Sequence, residues 1–139
     1  MFYLFNKEYD YALRICAFLA GTYKNKQSIR QLSEKLFITI PFTTKIIYKL
    51  KTSGIVNTER GKAGGVTLGK DPDKLNLFEI LTAMGLLKKV GECITEESFC
   101  PLPAPCKIHS FFMNEEDVFL NKLKSIQIEE FKFTEEDFK

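Results

Sequence analysis

Residues Ser28–Leu68 read SIRQLSEKLFITIPFTTKIIYKLKTSGIVNTERGKAGGVTL, and the punctuation divides them into two helices and a hairpin. Ser28-Ile-Arg-Gln31 is a capping box, in which serine and glutamine satisfy each other's backbone N–H groups at a helix start. It opens a short helix with Ile29, Leu32 and Leu36 facing inward. Phe37 to Ile40 make a turn. Pro41 then falls in the first turn of a second helix, where its missing N–H costs little. Phe42, Ile46, Ile47 and Leu50 give that helix a buried stripe, and Gly54 stops it. Thr43, Thr44, Lys45, Tyr48, Lys49 and Lys51 occupy most of its remaining surface. A short helix, a tight turn and a longer helix with a basic face make a helix-turn-helix, whose second helix enters the major groove of DNA. Ile55 to Arg60 then alternates as a strand does, residues 61–65 are a turn, and Val66 to Leu68 return. A hairpin in this position is a wing, with Arg60 and Lys62 at its tip in reach of phosphates or the minor groove. The plainer alternative is a solvated basic face. Gly61-Lys-Ala-Gly-Gly65 is a poor phosphate loop, because it lacks the GxxxxGK[ST] order.

Charge supports the same reading. Residues 22–70 carry ten Lys/Arg against Glu34 and Glu59, or +8, whereas residues 91–139 carry five Lys against eleven Asp/Glu, or −6. The first half is built to meet a polyanion and the second would repel one. The 139 residues, 45% apolar, suffice for one domain with an appended element. No apolar run approaches the ~18 residues of a membrane span, and MFYLFNKEYD lacks the features of a secretion signal. The expectation is therefore a cytoplasmic protein that does not engage a membrane, with its thiols in a reducing compartment.

Outside the core motif, Asn6 caps a first helix to about Tyr23, with Tyr9, Ala12, Leu13, Cys16, Ala17 and Ala20 on one stripe. Cys16 reads as a small core residue, and Asp10 and Arg14 share another face. Asn76-Leu-Phe-Glu79 starts a short helix that buries Leu77, Ile80, Leu81 and Met84 and ends near Gly85. From about His109 to Ser125 a long amphipathic pattern places Phe112, Phe119, Leu123 and Ile126 on one side. So much phenylalanine points to a dimerisation helix, the alternative being packing on its own domain. The tail from Ile128 to Lys139 alternates acidic and aromatic residues and is expected to be loosely ordered.

Between these helices lies Cys93–His109, CITEESFCPLPAPCKIH. Pro101, Pro103 and Pro105 forbid a helix across its middle, leaving a loop able to fold Cys93, Cys100 and Cys106 around one point. Three soft ligands suit an iron–sulfur cluster or a thiophilic metal, each needing a fourth ligand. The spacing is not that of zinc ribbons. Reduced thiols, or one disulfide with a thiol left over, stay open on the residues alone.

Taken together, the chain resembles the IscR/NsrR-type (Rrf family) transcription regulators, winged-helix dimers that often carry an iron–sulfur cluster. The matching pieces are YDYALRICAFLA, SIRQLSEKLFITIPFTTKIIYKLKTSGIV, ERGKAGGVTLGKDPDKLNLFEIL, the three spaced cysteines and FLNKLKSIQIEEF, in order over nearly the whole chain. The family wing reads RGPGGGY; here it reads RGKAGGV, with Ala63 for a glycine and Val66 for the aromatic. The resemblance implies Cys93, Cys100 and Cys106 as cluster ligands, Thr44 and Lys45 as base readers and Arg60 as a wing contact. Ser28, Thr39, Thr43, Tyr48, Lys49 and Lys62 complete the DNA-facing set. Asp10 falls where NsrR-like nitric-oxide sensors place an aspartate that reaches a 4Fe–4S cluster from the partner subunit. His109 falls where IscR-like regulators place a histidine on a 2Fe–2S cluster. The context of Glu92-Cys93 and the prolines before Cys106 favour Asp10 and the 4Fe–4S form. Without the resemblance, Asp10 is an exposed carboxylate near a helix start and His109 a residue near a helix cap.

The resulting expectation is a mostly α chain with a small β-wing: a winged helix-turn-helix domain (1–85), a cysteine-rich cluster-binding loop (86–108), and a dimerisation helix with its tail (109–139). Its function would be that of a homodimeric repressor on a palindromic operator of double-stranded DNA, responding to nitric oxide or redox state. A thiol switch or zinc site in the same regulator, or a protein-interaction module without specific DNA binding, are the alternatives. The chain is not expected to be an enzyme, since lone His109 has no evident nucleophile–base pair and no paired-carboxylate pocket stands out.

Overall fold

The computed structural model describes residues 6–86 and 106–138. Among these residues five α-helices, α1 (Lys7–Gly21), α2 (Ile29–Leu36), α3 (Ile40–Thr52), α4 (Leu77–Ala83) and α5 (Lys107–Ser125), accompany one antiparallel hairpin, β1 (Val56–Glu59) and β2 (Gly65–Leu68). The fold class is the one expected, mostly α with a two-stranded wing.

Each helix start carries its local signal. Asn6 accepts from the Tyr9 N–H at 3.0 Å. Ser28 and Gln31 close their capping box at 3.0 and 2.8 Å, as Asn76 and Glu79 do at 2.8 and 3.1 Å. Such caps are worth about 1 kcal/mol each. α2 ends where the sequence shows no glycine. Phe37 takes the left-handed conformation there, with φ of 55°, and the side chain is 89% exposed. The next N–H, of Ile38, returns to the Ser33 carbonyl at 3.1 Å, and Ser33 Oγ donates to the Ile38 carbonyl at 2.5 Å. These two bonds fix the turn between α2 and α3.

The core surrounds α1. Ala12, Ile15, Cys16 and Leu19 are essentially sealed, and Phe18 is buried too, so the helix buries more than the single stripe expected of it. Leu32, Leu36, Ile46, Ile47, Leu50, Val66, Leu68, Ile80 and Leu81 close over it from α2, α3, the hairpin and α4. Burying side chains of this size contributes roughly 1.5–3 kcal/mol each.

The tail departs from expectation. It is a strap, not a loose end. Ile128 is buried, its N–H donates to the Leu75 carbonyl at 2.8 Å, and the Leu77 N–H donates to the Ile126 carbonyl at 3.0 Å. Further on, the Phe133 N–H donates to the Ala17 carbonyl at 3.1 Å. The alternation of acids and aromatics serves 3-10 turns at Ile128–Phe131 and Glu135–Phe138, which put the apolar members on α1. The C-terminal half of α5 joins the same core through Leu123 and half-buried Phe119. Ile108, Phe111, Phe112 and Val118 remain exposed along its first part.

Candidate nucleic-acid interface and the flanking ligand set

One side of α3 is consumed by the core: Thr43, Ile46, Ile47 and Leu50 are buried. The 3.6-residue period then leaves Thr44, Lys45, Tyr48, Lys51 and Thr52 outward. Thr39 caps the helix, its Oγ1 accepting from the Phe42 N–H at 3.4 Å, and Ile40 and Pro41 in the first turn are exposed. Thr44 Oγ1 donates to the Ile40 carbonyl at 2.9 Å, so its methyl and oxygen stay on the exposed face. Tyr48 is 69% exposed.

Thr43, expected on this outward face, does not join it. It is fully buried, and its hydroxyl donates back to the Thr39 carbonyl at 2.9 Å. It belongs to the packing face of α3 and cannot meet DNA. Ser28 is half-buried and occupied as the α2 cap. Lys49 is only half-exposed, and it shares a partner with Lys45 that the sequence did not suggest. Glu8, in the first turn of α1, offers Oε1 to Lys45 Nζ at 2.7 Å and Oε2 to Lys49 Nζ at 2.9 Å. The hydrogen bonds from Lys45 and then Lys49 hold the Glu8 carboxyl below its ordinary pKa, against some desolvation. A pairing across 41 residues leaves no local signal in the chain. Tyr11 of α1 meets Phe42 of α3 edge-on at 5.1 Å, so the two helices are joined by an aromatic pair and a forked ion pair.

The wing stands beside this face. β1 and β2 pair from Val56↔Leu68 to Glu59↔Gly65, and Val66 also bridges Gln27. Val66 is buried, which is why an aliphatic residue serves in place of the aromatic. Arg60 and Lys62 are exposed at the tip. Lys26 Nζ holds the tip from below, donating to Glu59 Oε2 at 2.5 Å and to the Ala63 carbonyl at 3.2 Å. Gly61 has φ of +98°, and a Cβ on Gly64 would run into the Glu59 carbonyl oxygen. Position 63 uses only its carbonyl, so alanine is tolerated there.

Of the expected cluster ligands, Cys93 and Cys100 lie outside the described residues. Cys106 is half-buried at the N-cap of α5 and makes no side-chain capping bond. His109 is half-buried in the first turn of the same helix. Asp10 lies on α1, gripped by Arg14 through Nε at 3.1 Å and Nη2 at 2.5 Å, while Arg14 Nη1 donates to the Leu36 carbonyl at 3.2 Å. Asp10 and Arg14 edge an apolar groove of about 250 Å³ with Leu13, Ala17, Leu77 and Phe131. Among the described residues no three such ligands converge.

A helix-turn-helix with an exposed basic second helix and a flanking basic wing defines a DNA-binding transcription regulator of the winged-helix class. More narrowly, the chain belongs to the Rrf2 family, whose model, described as an iron-dependent transcriptional regulator, matches residues 5–132. The HTH-type transcriptional regulator NsrR of Bacillus subtilis (strain 168) is 33% identical over 99 residues, 70% of this chain and 68% of that one. The NsrR of Shouchella clausii (strain KSM-K16) is 26% identical over 132 residues, 94% of this chain and 89% of that one. In fold, the chain is similar to IscR of T. potens, with a TM-score of 0.71 at 18% identity over 89% of this chain and 82% of that one. Among the described residues no helix is long and apolar enough to cross a membrane.

Proposed function

We propose that the chain is a homodimeric repressor that reads a palindromic operator and senses nitric oxide or redox state through an iron–sulfur cluster. The observation that carries the sensing half is the donor set: Cys106 at the start of α5, Cys93 and Cys100 upstream of it in the sequence, and Asp10 at the edge of an apolar groove on α1. These residues fit the group in kind, three thiolates and one carboxylate. Cys93, Cys100 and Cys106 would hold the cluster, with Asp10 of the partner subunit as its fourth ligand in a 4Fe–4S form. His109 is the alternative fourth ligand, in a 2Fe–2S form. When bound, the cluster supplies iron that nitric oxide and oxidants attack.

The chain's own part is mechanical. Residues 1–85 read DNA through Thr39, Thr44, Lys45, Tyr48 and Lys49, with Arg60 and Lys62 in the wing and Ser28 at the α2 start. Residues 86–108 hold the cluster, and residues 109–139 pair two copies and strap each to its own core. Arg14 bridges Asp10 and the Leu36 carbonyl, so the carboxylate proposed as ligand is tied to the entry of the helix-turn-helix turn. Reading heads of such a dimer lie about 34–36 Å apart on successive turns of DNA, and the sensor acts by favouring one dimer geometry over another.

Anaerobic purification with iron, sulfide and zinc analysis and an absorption spectrum tests this. Iron and sulfide in equal amounts, lost on nitric oxide exposure and absent from Cys100→Ser, are expected. A spectrum that changes in Asp10→Ala but not in His109→Ala fixes the fourth ligand, and the reverse assigns it to His109. Zinc or free thiols in place of iron would transfer the sensing role to a zinc site or a thiol switch. A protein that binds no duplex above the salt-sensitive background would be an interaction module.

A further inference from the structure

Lys45 and Lys49 stand one helical turn apart on α3, so their ammonium groups reach the same side. Both are engaged by one carboxylate, Glu8, through separate oxygens at 2.7 and 2.9 Å. The Glu8 side chain is 21% exposed, against 54% for Lys45 and 35% for Lys49. The acid therefore sits beneath the two bases, on the α1 side, and the face they present is outward. Lys45 is further steadied by the Phe42 ring, 5.4 Å from its Nζ. In a segment with a net charge of +8, this one acid from another helix takes up two of the charges best placed to meet DNA.

We propose that Glu8 is a positioning residue for DNA recognition: it clamps Lys45 and Lys49 so that a duplex gains their charge only by displacing the carboxylate. This rests on the reading that α3 enters the major groove. A duplex of arbitrary sequence held loosely at the basic face offers phosphates at long range, where screening leaves the short Glu8 pairs in place. A seated operator brings phosphates and base edges to hydrogen-bond distance. Each lysine then exchanges one charge-assisted bond for another of similar strength. Glu8 thus subtracts from the sequence-independent part of binding more than from the specific part, and raises the ratio between them.

Glu8→Gln keeps the shape and removes the charge. The probes are a random-sequence duplex and a duplex enriched from a random library by the native protein, each titrated between about 50 and about 200 mM salt. For the random duplex the slope of log K against log salt should steepen by about 1–2, one increment per released lysine. Affinity should rise by up to about fivefold per pair. The enriched duplex should gain less, so the specificity ratio falls. Glu8→Asp, one methylene shorter and unable to span both lysines, should lie between. In a Lys45→Ala, Lys49→Ala background the Glu8→Gln change should have no effect on slope. Unchanged random-duplex slopes in Glu8→Gln, with the double lysine variant still weakened on the enriched duplex, would overturn the clamp and leave the reading face standing. A double lysine variant that binds the enriched duplex as the native protein does would remove α3 from the reading face, and the clamp with it.

Discussion

Thr43 and Thr44 are adjacent and chemically identical, yet one helical step of about 100° separates a packing role from a binding role. Thr43 is sealed and returns its hydroxyl to the Thr39 carbonyl. Thr44 bonds the Ile40 carbonyl from the exposed side. Thr43→Val removes the hydroxyl's bond while the Thr39 carbonyl keeps the Thr43 N–H at 2.9 Å, and should cost about 1 kcal/mol in urea unfolding. Thr44→Val should leave the unfolding midpoint in place and weaken operator binding instead. Equal effects of the two on stability would contradict this division. Cys16 makes a second case. Desolvation alone drives its thiol pKa far above the ordinary 9.0, so the folded state keeps it protonated where the unfolded chain would release the proton. Its share of stability is intact below about pH 9 and is lost as pH rises beyond, at up to about 1.4 kcal/mol per pH unit. Cys16→Ala should lower stability through the cavity it leaves and flatten the alkaline decline. Native alkylation at mildly alkaline pH should label half-buried Cys106 and spare Cys16; rapid labelling of Cys16 would show that the core opens.

At the scale of elements, the wing separates geometry from charge. Arg60→Ala with Lys62→Ala removes two exposed charges from the tip and should reduce the salt slope of DNA binding by about 0.9 for each phosphate no longer neutralised, with little change in melting temperature. Gly64→Ala has the opposite profile. Its Cβ runs into the Glu59 carbonyl oxygen, so the tip must shift away from Lys26 and both stability and affinity should drop. If Gly64→Ala melts and binds as the native protein does, the tip is not held as described. The elements legible in the chain are those whose cause is local. Ser28–Gln31 and Asn76–Glu79 declare their helices within four residues, and Pro41 and Gly54 bracket α3. What escaped was long-range. One stripe was visible on α1, but Ile15, Phe18 and Leu19 are buried because α3, α4, the hairpin and the strap enclose the helix from several sides. The end of α2 at Leu36 was legible, although Phe37 takes a conformation there in which glycine is the usual signal. Glu8 reads as an ordinary first-turn acid until α1 and α3 are docked. Thr43 was placed on the binding face because threonine is neither clearly polar nor clearly apolar, and only the packing of α3 decides between the two.

At the scale of the whole molecule, α5 carries an apolar surface that the core of the described residues does not cover. Ile108, Phe111, Phe112 and Val118 are all more than half exposed on α5, at i, i+3, i+4 and, from Phe111, i+7 spacing, which makes a continuous apolar stripe. Leu123 and Phe119 turn the other end of the same helix into the core, so α5 is anchored at one end and presents the stripe at the other. Apolar area of this kind gains about 25 cal/mol per Å² when removed from water, and two copies of one helix stripe cover each other in a two-fold pair. The charge distribution agrees, since residues 91–139 carry −6 and residues 22–70 carry +8, so a polyanion is drawn to the latter. Phe112→Asp with Val118→Asp therefore tests the proposed dimer without touching the residues that seal the chain's own core. Sedimentation should show a monomer, while thermal unfolding at high dilution should match that of native protein similarly diluted. Operator affinity should fall by about 10²-fold or more, because two linked half-site contacts exceed either one alone by that factor. Random-duplex affinity, which needs only one basic face, should fall far less. A variant that still sediments as a dimer would move the pairing surface off α5, and a monomer that keeps full operator affinity would mean that one reading head suffices.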